Sequence, residues 1–399
     1  MKSKIKQAIF GLESDLIAWR RSIHREPELG FEEYKTAEKI VGVLKGTDLN
    51  LQTEVAQTGI VADLHIGDDL PTLALRADMD ALPIQEQTEV EYVSQNEGVM
   101  HACGHDGHVA ILLGTAIILD HFRDELDVNV RFIFQPAEEG PGGAKPMIEE
   151  GVLKEVDEII GLHLNTDQLI GEMELKSGAF SAAADQIELI VKGDGGHGAA
   201  PHQAVDAIVV AAEIITALQT IVSRKVDPHQ SVVLSMGKIE GGYRHNVIAD
   251  YVKITGTVRS TDPDIRKELP DKIEQTIKGI TKGHGANYEL DYKWGYPVMI
   301  NDSELVAKLE KDFRDIPEIE RIERVDNPSM GAEDFAYYCQ EVPGAFYRLG
   351  AGKFPDHVYP GHHPKFDFDE AALKLGVITF VKAVLNYSDN KGEDLTDIE

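Results

Sequence analysis

One short segment constrains this chain more than any other, the nine residues Met100–His108. It contains one thiol, three imidazoles and one carboxylate, groups that bind divalent metals once they are deprotonated. Two glycines, Gly104 and Gly107, lie between them, so the backbone can turn tightly and direct several side chains towards one point. Neither a hydrophobic core nor a solubilising surface explains this density. The segment therefore predicts a metal site whose remaining ligands lie elsewhere in the chain.

Composition restricts the class of protein, because 399 residues with 42% hydrophobic content predict two or three domains with sizeable cores. The formal net charge of −30 argues against nucleic acid or an anionic membrane as a partner. Cys103 and Cys339 are the only cysteines, so a reducing compartment fits and no disulfide framework is expected. The basic start lacks the apolar core of a signal peptide, and no window approaches the roughly 18 consecutive apolar residues of a membrane span. We therefore expect a cytoplasmic protein with no nucleic-acid or membrane partner.

The order of the predicted elements indicates one α/β domain that is interrupted by a smaller α+β domain. Strands and helices alternate in the first part of the chain, which favours a mainly parallel sheet with helices on both faces. The middle of the chain follows the order β-α-β-β-α-β, which is that of a ferredoxin-like domain. We therefore predict a discontinuous metal-binding domain of residues 1–183 and 298–399 and an inserted domain of residues 184–297. Motif residues of the larger domain are expected at the carboxyl ends of its strands.

Two acidic clusters follow apolar strands of the predicted larger domain. Asp78 and Asp80 close one strand, and their side chains would share one face if that strand continued. Turn chemistry explains this pair equally well, because aspartate is common where strands end. Glu138 and Glu139 follow another strand and point in different directions, so that one can bind a metal while the other faces a substrate. A solvated charge pair is the alternative for Glu138 and Glu139, and the glycine-rich turn after them weakens it.

Histidines outside the first segment also lie at strand ends or turns. His163 is predicted at the end of an apolar strand, where a single histidine is more often a hydrogen-bonded core residue than a ligand. His362 and His363 lie in a turn before Pro364, and a histidine pair alone is only weakly specific. Together with the acidic clusters these signals are strong, because all of them fall in one predicted α/β domain.

These motifs resemble the dinuclear metallohydrolases that include aminoacylases and carboxypeptidase G-type enzymes. The most similar branch contains hippurate hydrolase, indole-acetyl-amino-acid hydrolases and bacterial N-acetyldiaminopimelate deacetylase. The resemblance covers nearly the whole chain. The matching segments are Arg21–Gly30, Arg76–Pro83, Met100–His108, Gln135–Gly140, Gly161–Leu164, Met330–Phe335 and Gly361–Pro364. The resemblance implies that the chain hydrolyses the amide bond of N-acyl-amino acids and releases a carboxylic acid and a free amino acid.

The resemblance also implies a catalytic site with two divalent metal ions. Glu138 matches the general base, and Asp80 matches the acid that supports a metal ligand. The implied metal ligands are Cys103, His105, Glu139, His163 and His362. Zinc and manganese suit this donor set, with cobalt and nickel as alternatives. The other polar members of the first segment, His101, Asp106 and His108, are expected to have supporting or structural roles.

In this family the inserted domain acts as a lid and as the surface of a homodimer. His197, Asn246 and Arg259 match positions that hold the substrate carboxylate or the oxyanion, sometimes across a dimer. Arginine suits a carboxylate because its guanidinium donates two parallel hydrogen bonds. Asn246 and Arg259 are alternatively a turn residue and a strand-surface residue. Glu333 matches a further site residue of the family, and no role is assigned to it.

Three alternatives remain open beside the hydrolysis of simple N-acyl-amino acids. An N-acetyl-L,L-diaminopimelate deacetylase of lysine biosynthesis would need a site for the distal amino-acid group, which the sequence does not locate. Cys103 would be a nucleophile beside His105 if it were not a ligand, but metal-dependent hydrolysis needs no such nucleophile. A non-catalytic protein that binds a metal or an amino acid is the third alternative, and the complete set of base and ligands argues against it.

Overall fold

Helices and strands alternate along the chain in a computed structural model that describes residues 3–353 and 359–387. The helices are α1 (Ser3–Gly11), α2 (Glu13–Arg25), α3 (Tyr34–Leu44), α4 (His105–His121), α5 (Ala144–Glu149), α6 (Ala207–Arg224), α7 (Pro263–His284), α8 (Ser303–Arg314), α9 (Tyr338–Glu341) and α10 (Ala371–Leu385). The strands are β1 (Asn50–Val55), β2 (Gly59–Leu64), β3 (Thr72–Asp78), β4 (Asn129–Gln135), β5 (Glu158–Leu169), β6 (Glu172–Leu175), β7 (Gly178–Ser181), β8 (Ala183–Lys192), β9 (Gly196–His197), β10 (Val232–Gly241), β11 (Val247–Ile248), β12 (Tyr251–Ser260), β13 (Asn287–Tyr296), β14 (Met299–Asn301), β15 (Arg321–Arg324) and β16 (Gly344–Gly352).

The chain divides into two compact units. The larger unit consists of Met1–Gly178, Ile300–Asp326 and Asp334–Glu399. The smaller unit consists of Ala179–Met299 and Asn327–Glu333. The predicted metal-binding domain includes residues 1–2, 354–358 and 388–399, which lie outside the described residues.

An eight-stranded sheet forms the centre of the larger unit, in the order β1-β2-β4-β3-β5-β16-β6-β15. β3 is parallel to β4 and to β5, β5 is parallel to β16, and β6 is parallel to β15. The antiparallel pairs, β1 with β2, β2 with β4 and β6 with β16, lie on either side of this parallel centre. The predicted α/β class with a mainly parallel sheet is therefore confirmed.

α4 lies inside the core of the larger unit and carries part of the predicted metal site. Nearly all of its residues from His105 to Leu119 are buried, as expected of a helix that is apolar around its whole circumference. The helix begins inside the segment Met100–His108, at His105. Gly104, with φ 90°, turns the chain immediately before the helix, so His105 occupies the first turn.

The ends of the central strands bring the motif residues to one edge of the sheet. β3 ends at Asp78, which pairs with Gln135 at the end of β4. The expectation that His163 ends a strand is wrong, because β5 continues to Leu169. The pairing of β5 with β3 stops at Gly161, but β16 pairs with the other side of β5 and keeps that strand extended.

The smaller unit is an antiparallel sheet of order β10-β12-β8-β13, with α6 and α7 on one face. Alternate residues of β8, among them Ile187 and Leu189, contact α6 and α7 in the core. The caps Asp206 and Asp262 accept hydrogen bonds from the first turns of the two helices, which typically stabilises a helix by about 1 kcal/mol. The predicted β-α-β-β-α-β order of a ferredoxin-like domain is confirmed.

Among the described residues, α6 is the one helix whose length and composition would allow it to cross a membrane. The sequence predicted no membrane span. Val210, Ile214, Leu218 and Ile221 of this helix are buried in the core of the smaller unit. Length and composition are weak indications on their own, because the core helix of a soluble protein meets the same criteria.

Candidate metal centre

The five predicted ligands lie together in the larger unit, in two groups. Cys103, His105 and His163 form the first group, and Cys103, Glu139 and His362 form the second. Within each group the ligand atoms lie within 4.8 Å of one another. Because Cys103 belongs to both groups, its sulfur is placed to contact ions held by either of them. Thiolate, imidazole and carboxylate are also the donors that zinc prefers.

The backbone around Gly104 and His362 positions three of these ligands. Cys103 precedes Gly104 and His105 follows it, so the left-handed turn at Gly104 separates the two ligands. The backbone N–H of His362 donates to the carbonyl oxygen of Ala102 at 2.7 Å. This hydrogen bond joins the carboxyl-terminal ligand to the segment that carries Cys103.

One ring nitrogen of His105 is fixed by Asp80, and the other is free to bind a metal ion. Its Nδ1 atom lies 3.1 Å from the carbonyl oxygen and 3.2 Å from the Oδ1 atom of Asp80. Its Nε2 atom is buried and has no hydrogen-bond partner among the described residues. A buried polar atom without a partner is unfavourable unless something else binds it. The surroundings of His105 therefore fit a divalent metal ion bound to its Nε2 atom.

Asp80 links two of the candidate ligands. Its Oδ1 atom faces His105, and its Oδ2 atom accepts the backbone N–H of Glu139 at 2.9 Å. A carboxylate behind a histidine fixes the ring and its tautomer, which suits the supporting role predicted for Asp80. β3 ends at Asp78, so the strand does not continue to Asp80 as the expectation of a shared strand face required.

Asp78 and His108 support a third ligand through contacts that the sequence did not predict. Nε2 of His108 accepts the backbone N–H of Leu164 at 2.9 Å. Nδ1 of His108 therefore carries the proton and donates to Asp78 at 2.6 Å. Both side chains are buried, so this link fixes the backbone immediately after His163.

A buried ionic cluster holds α2 against the first turn of α4. Asp106 accepts hydrogen bonds from Arg20 and His24, each at 2.8 Å, and His24 lies 3.2 Å from Glu86. Burial alone would raise the pKa of Asp106, but Arg20 and His24 outweigh it and hold that pKa well below its usual value. His101 is also buried, and burial lowers its pKa to about 3. Because buried charges need partners, these contacts keep the ligand-bearing helix in register with α2.

Glu138 lies beside the two ligand groups that contain Cys103 but belongs to neither of them. It is buried, and a carboxylate oxygen of it lies within 4.8 Å of the ligand atoms of His105 and Glu139. The turn that carries it has φ 55° at Ala137 and φ 117° at Gly140. A carboxylate in this position can exchange protons with a molecule that is bound at the ligand groups.

The candidate ligands also shift one another's pKa values. Hydrogen bonds with Cys103 and Glu139 raise the pKa of His362 to about 10. Burial would raise the pKa of Glu139, but the hydrogen bond with His362 and the charges of His105 and His362 together outweigh burial and lower that pKa. Burial raises the pKa of the Cys103 thiol. Metal uptake is therefore expected to release protons from Cys103 and His362, because both groups bind a metal in their deprotonated forms.

The remaining predicted site residues belong to the smaller unit, and they are His197, Asn246, Arg259 and Glu333. β9 pairs with β11, which brings the segments of His197 and Asn246 together. Arg259 lies on β12 and is half-buried. Glu333 is buried at the end of the segment Asn327–Glu333.

Residues 74–386 match the model of peptidase family M20/M25/M40. The chain belongs to this family. It is 45% identical over 304 residues to the N-acyl-L-amino acid amidohydrolase of Geobacillus stearothermophilus, covering 76% of this chain and 82% of that protein. It is 41% identical to the N-acetyl-L-cysteine deacetylase of Bacillus subtilis strain 168, and the match covers 97% of this chain and 91% of that protein. It is 36% identical to the N-acetyldiaminopimelate deacetylase of Priestia megaterium, and the match covers 95% of this chain and 99% of that protein.

A solved structure of the M20 family gives the same result. The YXEP protein of Bacillus subtilis, described as a dinuclear metal binding peptidase, superposes with a TM-score of 0.84 and 34% identity. The match covers 95% of this chain and 99% of that one. The predicted family resemblance is confirmed, and this M20 chain is a metal-dependent amidohydrolase.

Proposed function

We propose that this M20 hydrolase cleaves the amide bond of N-acyl-amino acids and releases a carboxylic acid and a free amino acid. The observation that carries the proposal is the buried carboxylate of Glu138 beside two ligand groups that share Cys103. The names of the relatives from Geobacillus stearothermophilus and Bacillus subtilis support the same class of substrate.

The chemistry follows from the proposed roles of the residues. Two divalent ions, zinc or manganese with cobalt or nickel as substitutes, would lower the pKa of water and polarise the amide carbonyl. Glu138 takes a proton from the attacking water and delivers it to the leaving amine. His197, Asn246 and Arg259 are proposed to bind the substrate carboxylate or the oxyanion. We place the protein in the cytoplasm, where a reducing environment keeps the thiol of Cys103 available.

A panel of N-acetyl, N-benzoyl and indole-acetyl amino acids, assayed with several divalent metals, tests the substrate class. We expect equimolar release of acid and amino acid from at least one of these substrates, and loss of turnover after chelation. Chromatographic quantification of both products measures it. Absence of hydrolysis with every substrate and every metal would contradict the proposal.

N-acetyl-L,L-diaminopimelate is the second candidate substrate, because the relative from Priestia megaterium carries that activity in its name. The same panel, with N-acetyl-L,L-diaminopimelate added, decides between the candidates by kcat/KM. A value for this substrate at least about tenfold above the others, a difference of 1.4 kcal/mol, would favour the deacetylase of lysine biosynthesis.

We also propose that residues 184–297 are an inserted domain through which two copies associate, with residues 1–183 and 298–399 as the catalytic domain. β10 is an edge strand of its sheet, and its residues Val233 and Ile239 are exposed. An edge strand with exposed apolar side chains is a template for pairing with another chain. Ile208 and Val209, on α6 of the same unit, are exposed as well.

The Ile239→Lys variant is expected to weaken this association, because it places a charge on the exposed edge. Light scattering after gel filtration should give twice the 44.0 kDa of one chain for the wild type and a lower mass for the variant. Val93→Lys is the control, since Val93 is comparably exposed but lies in the larger unit. A monomeric wild type would contradict the proposal.

A further inference from the structure

We propose that Glu33 is a positioning residue for the general base and acts through the turn that carries Glu138. This inference rests on the proposed hydrolysis of N-acyl-amino acids. It gives a function to the segment Glu28–Glu33, which lies outside the metal centre and carries none of the predicted site residues.

Glu33 reaches the turn through a buried hydrogen bond. Its side chain is fully buried, and its Oε1 atom accepts the backbone N–H of Ala137 at 2.9 Å. Its Oε2 atom accepts the hydroxyl of Thr58 at 2.5 Å. Because both carboxylate oxygens have partners, the orientation of Glu33 is fixed relative to the start of β2 as well as to the turn.

Ala137 is the residue of the turn that most needs such a contact. Its φ of 55° lies in the left-handed region, which a residue with a Cβ atom rarely adopts. A backbone of this kind persists only where its surroundings hold it. Glu138 follows directly, so the orientation of the Ala137 peptide decides where the carboxylate of the base points.

The segment Glu28–Glu33 also contacts the residue that follows Asp80. The carbonyl oxygen of Glu28 accepts the backbone N–H of Ala81 at 2.8 Å. Gly30 lies so close to the base turn that a Cβ atom added there would be 2.9 Å from the Cβ atom of Ala137. The segment Glu28–Glu33 therefore contacts both the backbone next to the supporting acid Asp80 and the turn of the base Glu138.

An oxygen acceptor, rather than a charge, is what the turn requires from Glu33. Burial raises the pKa of Glu33 to about 7, and the nearby carboxylate of Asp80 raises it too, against the hydrogen bonds of Thr58 and Ala137. A neutral acid still accepts the N–H of Ala137, and so does the amide oxygen of glutamine. Glutamine at position 33 is therefore the conservative replacement and leucine the disruptive one.

The test compares Glu33→Leu with Glu33→Gln on the wild-type protein's best substrate. Glu33→Leu is expected to lower kcat about 100-fold, as a displacement of about 1 Å in a reacting group does, with KM and metal content unchanged. Glu33→Gln should keep kcat within about threefold and leave the pH profile of kcat in place. Glu32→Gln is the matched control, since Glu32 is the exposed neighbour.

A second pair of variants disturbs the turn without removing the hydrogen bond. Gly30→Ala is expected to lower kcat with KM unchanged, whereas Gly42→Ala should not, because a Cβ atom at Gly42 meets nothing within 4 Å. This pair decides the question if Glu33→Leu fails to fold in a thermal denaturation assay.

Unchanged kcat in folded Glu33→Leu, or in Gly30→Ala, would overturn the inference. So would a loss of metal in Glu33→Leu that accounts for its loss of activity. An inactive wild type would overturn both this inference and the proposed function, whereas an active wild type with an equally active Glu33→Leu would overturn only the former.

Discussion

Glu138→Gln is expected to lower kcat by about 10³-fold, the typical effect of removing a general base, while metal content stays at the wild-type value. Glutamine has nearly the same shape as glutamate but does not take a proton from water. Glu138 is also absent from the two ligand groups that share Cys103, so the ions should remain. Steady-state kinetics and elemental analysis of the same preparation measure the two quantities.

Glu150→Gln is the control for this variant, because Glu150 is exposed and lies at the end of α5, outside the ligand groups. Retained turnover in Glu138→Gln would refute the assigned base. Loss of metal together with activity would identify Glu138 as a ligand. Its carboxylate is close enough for that role, because it lies within 4.8 Å of the ligand atoms of His105 and Glu139.

Cys103→Ala is expected to remove both ions and to lower kcat by about 10³-fold or more, since metal ions supply several kcal/mol of transition-state stabilisation. Cys103 is the one residue common to both ligand groups. His163→Ala and His362→Ala each remove a ligand from a single group, so each is expected to weaken one ion more than the other. Titration with a metal-sensitive dye measures the number of ions per chain.

Cys339→Ala is the matched control, because Cys339 is the only other cysteine and lies on α9, outside both ligand groups. Two tightly bound ions in Cys103→Ala would contradict the shared-ligand geometry. An inactive variant with both ions would instead favour Cys103 as a nucleophile.

Parts of the fold and site that depend on a single segment were predictable from the sequence. The density of potential ligands around Gly104 predicted a metal site in the segment Met100–His108, within which the family resemblance selected Cys103 and His105. Hydrophobic periodicity predicted the α/β and ferredoxin-like orders. The order of the motifs added Glu139, His163 and His362 through the family resemblance. The structure brings all five side chains into the two ligand groups.

Parts that depend on partners distant in the chain were not predictable in this way. The strand position of His163 was wrong because β16, which begins at Gly344, extends β5 beyond the end of β3. The contacts of Glu33 with Ala137 and of Arg20 with Asp106 join residues that are 104 and 86 positions apart. Local periodicity contains no information about such pairs, because it reports burial but not the identity of the neighbour.

Metal titration of the chelated protein would show whether hydrolysis depends on two bound ions. Bound metal per chain and the release of amino acid from the best N-acyl-amino acid would be measured at each step. We predict no turnover without metal and full turnover as occupancy approaches two ions per chain. Full turnover of the metal-free protein would contradict the account.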